Sequence, residues 1–170
     1  MEYSLKTTGA PNLEELHRSP AFPSYDQLRK GPVVIIECIE EIPCNPCEAS
    51  CPRGAITIGE SITSLPKVNF EKCIACGMCI PACPGLAIYI KDYTYSNINA
   101  SLSFPYEYYP LPDVGDTVEA VDRYGKFVCD AKVIKVQNPK FNDHTAVVTI
   151  EYPKEHFEEA VNMKRLCAKG

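Results

Sequence analysis

Eight of the ten cysteines in this chain fall into two groups of four, spaced for metal rather than for disulfides. Cys73, Cys76, Cys79 and Cys83, with Pro84 behind, form a Cys-x2-Cys-x2-Cys-x3-Cys-Pro run, the bacterial spacing for a cubane iron–sulfur cluster. Upstream, Cys38, Cys44, Cys47 and Cys51 also close on proline, Pro52. A cubane needs one thiolate per iron, at the corners of a small tetrahedron. Three cysteines on a tight loop reach three corners, and a remote fourth closes the last. In chains with two such runs, the cysteine before proline ligates the other cluster. On that rule cluster I takes Cys38, Cys44, Cys47 and Cys83, and cluster II takes Cys73, Cys76, Cys79 and Cys51. The proline after each crossed cysteine is expected to turn the chain into a short helical turn. Two [4Fe–4S] clusters move electrons singly, so the cysteines point to electron transfer.

The first group departs from strict spacing, which would put its leading cysteine at the position held by Glu41. Cys38 is the nearest candidate, and a loop three residues longer is tolerable because closure entropy grows slowly with length. Without Cys38, a three-cysteine site of [3Fe–4S] type or with an open iron would remain. The competing metal is zinc, but zinc sites usually build from separated Cys-x2-Cys pairs. Asn45 and Pro46 in the first loop, and Gly77 and Met78 in the second, keep side chains small or soft beside the sulfurs, leaving backbone N–H groups to donate. Cys129 reads as a small buried thiol within a strand, and Cys167 as an exposed residue near the basic C-terminus. His17, His144 and His156 sit in no catalytic arrangement and read as solvated. The chain carries no Gly-x-Gly-x-x-Gly dinucleotide motif and no catalytic residue of its own.

Around these loops the 170 residues divide into four stretches. Residues 1–31 read as an N-terminal arm with two helical turns. Asn12 with Glu15 forms one capping box; Ser24 with Gln27 forms another, closed by Gly31. The arm is either a strap over its own core or a docking arm for a partner. Residues 32–93 carry an internal duplication: Cys51-Pro-Arg-Gly-Ala-Ile-Thr-Ile58 echoes Cys83-Pro-Gly-Leu-Ala-Ile-Tyr-Ile90. This predicts Val33–Glu37 paired with Ala87–Ile90, and Ala55–Ile58 paired with Lys67–Phe70. Residues 94–112, with four Tyr and three Pro, read as a linker whose tyrosines either pack on their own surface or meet another subunit. Residues 113–170 predict a small β unit, with strands over Thr117–Arg123, Lys126–Val136 and Thr145–Tyr152, then a helix over Glu155–Cys167.

Composition narrows the function. A formal net charge of −5 argues against a nucleic-acid partner. The longest aliphatic run, Val33-Val34-Ile35-Ile36, is far too short to span a membrane. Ten cysteines without an export signal suit a reducing cytoplasm, where such patterns bind metal.

Residues 32–91 resemble the bacterial two-[4Fe–4S] ferredoxin domain, through Glu71-Lys-Cys-Ile-Ala-Cys-Gly-Met-Cys79 and Cys83-Pro. The fold class this implies is α+β: a ferredoxin-like domain of pseudo-twofold symmetry, with an N-terminal arm and a small C-terminal β-barrel or sheet ending in a helix. Glu37-Cys-Ile-Glu-Glu-Ile-Pro-Cys-Asn-Pro-Cys-Glu48 is similar to the small iron–sulfur subunits of FAD-dependent amino- or imino-acid dehydrogenases of proline, hydroxyproline or sarcosine type. That resemblance implies a flavoprotein partner in a hetero-oligomer. A stand-alone soluble ferredoxin, and a structural or sensory iron–sulfur module, are the competing readings.

Overall fold

The computed structural model describes residues 4–167. The arm forms α1 (Leu5–Thr8), α2 (Leu13–His17) and α3 (Tyr25–Leu28). Both expected capping boxes are made. The Asn12 carboxamide accepts from the Glu15 N–H at 2.8 Å, and the Glu15 carboxylate accepts from the Asn12 N–H at 2.9 Å. Ser24 and Gln27 exchange the same two bonds at 3.4 and 2.7 Å. Gly31 does not close α3, however. The cap is Arg29 in right-handed geometry, and Gly31, at φ 149°, instead bends the chain into the next strand. The unanticipated α1 ends on Gly9, at φ 77°. Leu16 and Ala21 are fully buried and Leu28 joins the main core, so the arm straps its own chain.

Strand β1 (Val33–Ile36) pairs antiparallel with β4 (Ile88–Asp92), from Val33↔Lys91 to Ile36↔Ile88. Between them in sequence lie α4 (Pro46–Ala49), the short pair β2 (Ile56–Thr57) and β3 (Lys67–Val68), and α5 (Cys79–Ala82). Both strand pairings follow the duplication. The helical turns lie elsewhere than expected. Each helix precedes its Cys-Pro, and the prolines open single turns closed by Gly54 N–H to Cys51 O and Leu86 N–H to Cys83 O. α4 starts with Pro46 in its first turn, where proline's missing N–H costs no bond.

The remaining strands are β5 (Asn99–Tyr106), β6 (Thr117–Val121), β7 (Phe127–Gln137), β8 (Ala146–Pro153) and β9 (Asn162–Met163). They continue the β1–β4 pair into one seven-stranded antiparallel sheet of order β1-β4-β5-β8-β7-β6-β9. Strands β5 to β8 have Greek-key order, the β6-β7-β8 meander returning to lie beside β5.

Two expectations fail here. The Tyr/Pro-rich stretch is not simply a linker, because Asn99–Tyr106 is an internal strand. Ala100, Leu102, Phe104 and Tyr106 are all buried, alternating with Ser101 and Ser103. Pro105 hides that period of two. It is tolerated because the ladder to β4 ends at Ser103, leaving one side of the strand unpaired. Nor is Glu155–Cys167 a helix. Lys154–His156 is one 3-10 turn, and β9 then lies along β6, with Val161 N–H donating to Val121 O and Lys164 N–H to Glu119 O. The apolar residues Phe157, Ala160 and Val161 fit a helical face. Val161 and Met163, however, also fit a strand, and the unpaired groups along β6 decide between them.

The core has two compartments, and β1 is the wall between them. Val33 and Ile35 face the large sheet core, whereas Val34 and Ile36 face a second cluster that includes Cys47, Cys79, Ile56 and Ile80. A continuous aliphatic run is what a strand buried on both faces requires.

Candidate metal centre

Six of the eight cysteines lie in or against the second core compartment, with Cys44 and Cys76 in the adjoining loops, and they divide by neighbourhood rather than by sequence. The Cys47 thiol is pushed up to about 11, first by burial and then by the nearby Cys83 charge, with Cys44 and Cys38 adding to it. Cys38 is raised by burial, then by Cys83 and Cys44. Cys83, at the end of α5, therefore sits with the upstream loop. Cys79 is pushed up to about 12 by burial, then by Cys73, Cys76 and, across the sequence, Cys51. A small cavity lined by Cys51, Cys73, Cys76 and Cys79, with Val34, Ile56 and Ile90 behind them, occupies that second neighbourhood.

Left-handed backbone on both sides of Cys76 shapes the downstream loop. Ala75 at φ 51° and Gly77 at φ 81° flank Cys76, so the chain reverses its pleat on either side of it. Ala75 pays for this with left-handed strain of roughly 1–2 kcal/mol, a cost that only a demanding loop geometry justifies. Beyond Cys51, burial tends to raise the thiol, but the amides of Ala55, Arg53, Ile56 and Gly54 converge on the sulfur and bring it below its ordinary value. The Ala55 N–H donates to Cys51 Sγ at 3.3 Å. Amides aimed at sulfur stabilise the thiolate a metal needs.

Burial is uneven: Cys47 and Cys79 are buried, Cys76 is exposed, and the other five are intermediate. Met78, which lines the same cavity, is itself 42% exposed. Among the described residues no three His, Cys, Asp or Glu side chains gather tightly enough for one metal ion. A cubane spreads its four irons, and an all-thiolate donor set is its usual complement. The residues present fit [4Fe–4S] clusters.

The remaining candidates stand apart from this chemistry. Cys129 is buried in β7, its thiol raised to about 11 by burial and then by Asp130, Glu159 and Glu155. Cys167 is exposed. His17 and His144 are exposed; His156 is half-buried, between Glu155 at 3.6 Å and Glu159 at 3.3 Å.

Sequence reasoning missed a buried charge network beside Cys38. Arg123 Nε donates to both Glu37 carboxylate oxygens, at 3.1 and 3.0 Å, and its Nη2 donates to Oε1 at 2.6 Å. Lys91, 2% exposed, donates to the Phe157 carbonyl at 2.7 Å and lies over the Phe157 ring. Burial, with Arg123 adding to it, brings the Lys91 ammonium down to about 7. A charge before a turn glycine and a lysine ending a strand both read as surface residues, and no local signal distinguishes them.

Comparison with known proteins identifies the module. Residues 37–96 match the 4Fe-4S dicluster domain, so this stretch is a ferredoxin-type iron–sulfur domain. The chain is 58% identical over 38 residues to the B component of a Na(+)-translocating ferredoxin:NAD(+) oxidoreductase complex of Acetobacterium woodii, covering 22% of this chain and 11% of that one. It is 51% identical over 47 residues to an uncharacterized ferredoxin of Methanocaldococcus jannaschii, 28% and 29% of the two chains. It is also 43% identical over 54 residues to the polyferredoxin-like subunit of an aliphatic sulfonate oxidoreductase of Pyrococcus furiosus, 32% and 28% of the two chains. The chain thus spans between 11% and 29% of the length of these relatives. No solved structure matches it. Among the described residues no helix is long and apolar enough to cross a membrane.

Proposed function

We propose that the chain is an electron-transfer subunit with two [4Fe–4S] clusters, working in a hetero-oligomeric oxidoreductase whose catalytic subunit is a flavin-dependent dehydrogenase of amino or imino acids. Cys38, Cys44, Cys47 and Cys83 hold one cluster, and Cys51, Cys73, Cys76 and Cys79 hold the other. The observation that supports the ligand sets is where the two cysteines before proline lie: Cys83 is among the charged neighbours of Cys47 and Cys38, and Cys51 lines one cavity with Cys73, Cys76 and Cys79. When bound, such clusters supply reversible one-electron transfer. The protein's own groups do the rest. Thiolates fix each site, the amides after Cys51 neutralise sulfur charge, and Val34, Ile36 and Ile80 keep water from the inner side. Cys76, exposed, gives the downstream site its opening to solvent.

The flavoprotein partner is supported by the resemblance of residues 37–48 and by the roles in oxidoreductase complexes named for two of the relatives. The free-ferredoxin reading has one observation in its favour, the net charge of −5, which would steer the chain toward basic docking surfaces.

Anaerobic purification from the native source tests both readings. The expected product carries iron and labile sulfide at the dicluster level and co-elutes with an FAD protein that oxidises an amine. A chain that elutes alone and reduces several unrelated acceptors belongs to the free-ferredoxin class. Cys83→Ser is expected to alter the same spectroscopic signal as Cys44→Ser, and Cys51→Ser the same one as Cys76→Ser. The opposite pairing refutes the crossed assignment.

A further inference from the structure

The geometry points to Arg123 as the residue that positions Cys38, and with it the upstream cluster site, by clamping Glu37. This rests on the functional reading above. Cys38 is the cysteine least supported by its own loop. Five residues separate it from Cys44, and Glu40, Glu41, Ile42 and Pro43 among them are exposed. It must therefore be held from its N-terminal side. Two devices act there. The Glu37 N–H donates to Ala87 O at 2.9 Å, extending the β1–β4 ladder by one bond. The Glu37 side chain is then gripped by the Arg123 fork, through the three contacts given above. The two side chains are 5% and 11% exposed.

The fork is itself anchored. Arg123 Nη1 donates to Glu158 O at 3.2 Å. The turn that carries it is closed by Asp122, whose N–H donates to Lys126 O and whose carboxylate accepts from the N–H groups of Tyr124 and Lys126. A charge pair this buried is poor evidence for stability, since an apolar pair of similar volume is often as stable. What the pair supplies is direction. A planar fork on a carboxylate fixes distance and angle together, which a lysine does not. It fixes them at the residue next to Cys38. Arg123 is a positioning residue, acting on the cluster through Glu37 and Cys38.

The test uses the full chain, loaded anaerobically, in wild-type, R123K, R123Q and E37M/R123M forms. Iron per chain is measured, and each cluster's midpoint potential is followed by electron paramagnetic resonance. The upstream signal is the one abolished by Cys44→Ser. R123K keeps the charge but loses the fork; it is expected to shift the upstream signal and to lose up to about one iron per chain, leaving the downstream signal unmoved. R123Q leaves the Glu37 carboxylate uncompensated and is expected to move the upstream potential to more negative values as well. The apolar double variant controls for folding: it is expected to melt near the wild-type temperature yet show the upstream defect. An upstream signal, potential and iron content at wild-type values in both R123K and the double variant overturns the proposal. A wild-type chain that takes up no iron instead overturns the functional reading, and this inference with it.

Discussion

Replacing Lys91 with methionine should change how stability depends on pH. Lys91 is enclosed by β4, the Phe157 ring and its carbonyl, with Arg123, Glu37 and Glu158 as its charged neighbours. Burial is the largest influence and Arg123 acts with it, so the ammonium falls from 10.5 to about 7 despite Glu37 and Glu158. In the unfolded chain Lys91 holds its proton until about pH 10.5, and in the folded chain it releases it near pH 7. Between those limits the unfolded state binds the extra proton, so stability rises with pH and levels off at both ends. Each tenfold change in proton affinity is worth about 1.4 kcal/mol, so the full displacement amounts to roughly 5 kcal/mol. Lys91→Met removes the titration while keeping the length of the stem. Unfolding in urea under anaerobic conditions, in steps from pH 6 to 10.5, gives the difference between variant and wild type. Contributions from cluster loss and other titrating groups cancel in that difference. The variant's advantage should be greatest near pH 6 and fall by several kcal/mol toward pH 10.5. Parallel profiles would refute the reasoning, showing that the carbonyl and the ring hold the ammonium charged in the folded chain.

Three further outcomes are expected. Tyr152, buried in β8, has a hydroxyl without a hydrogen-bond partner among the described residues, so Tyr152→Phe should be neutral or stabilising by about 1 kcal/mol in thermal denaturation. Gly77→Ala forces a Cβ onto a backbone at φ 81°. It should cost about 1–2 kcal/mol and weaken iron retention at the downstream site, although the new methyl group would meet only ordinary contacts, Ile90 at 3.6 Å and Ile80 at 3.8 Å. Asn12→Ala removes a cap and should cost about 1 kcal/mol, read first as faster proteolysis of the arm; unchanged protection would show that Leu16 burial alone holds it.

What the sequence discloses here depends on how local the cause is. The capping boxes were legible because Asn12 and Glu15, or Ser24 and Gln27, complete each other within one turn. The β1–β4 and β2–β3 pairs were legible because the duplication around Cys51 and Cys83 repeats their frame. The iron–sulfur character of residues 37–96 was legible because thiolate spacing is the chemistry itself. β5 was hidden by Pro105 and by the tyrosines around its end, since its pairing with β8 spans forty or more residues of sequence. Segment 154–163 was misread because its apolar spacing suits two periods, and only the free side of β6 chooses between them. Arg123 could not be found at all: its partner Glu37 lies 86 residues away, and nothing near either residue marks the pair.

The ladder from β4 to β5, Ile90↔Ser103 through Asp92↔Ser101, bears on how the chain can be shortened. In a freely excisable cassette β4 would be a border strand with its outer amides bare. Here those amides are satisfied by the segment that follows, and the far flank of that segment is satisfied in turn by β8. A fragment trimmed after residue 93 would keep every cysteine of the two quartets yet open a sticky seam, inviting self-association. Transplanting the iron-binding portion into another scaffold therefore calls for a surrogate strand, and the natural donor is the stretch whose prolines and tyrosines disguise it.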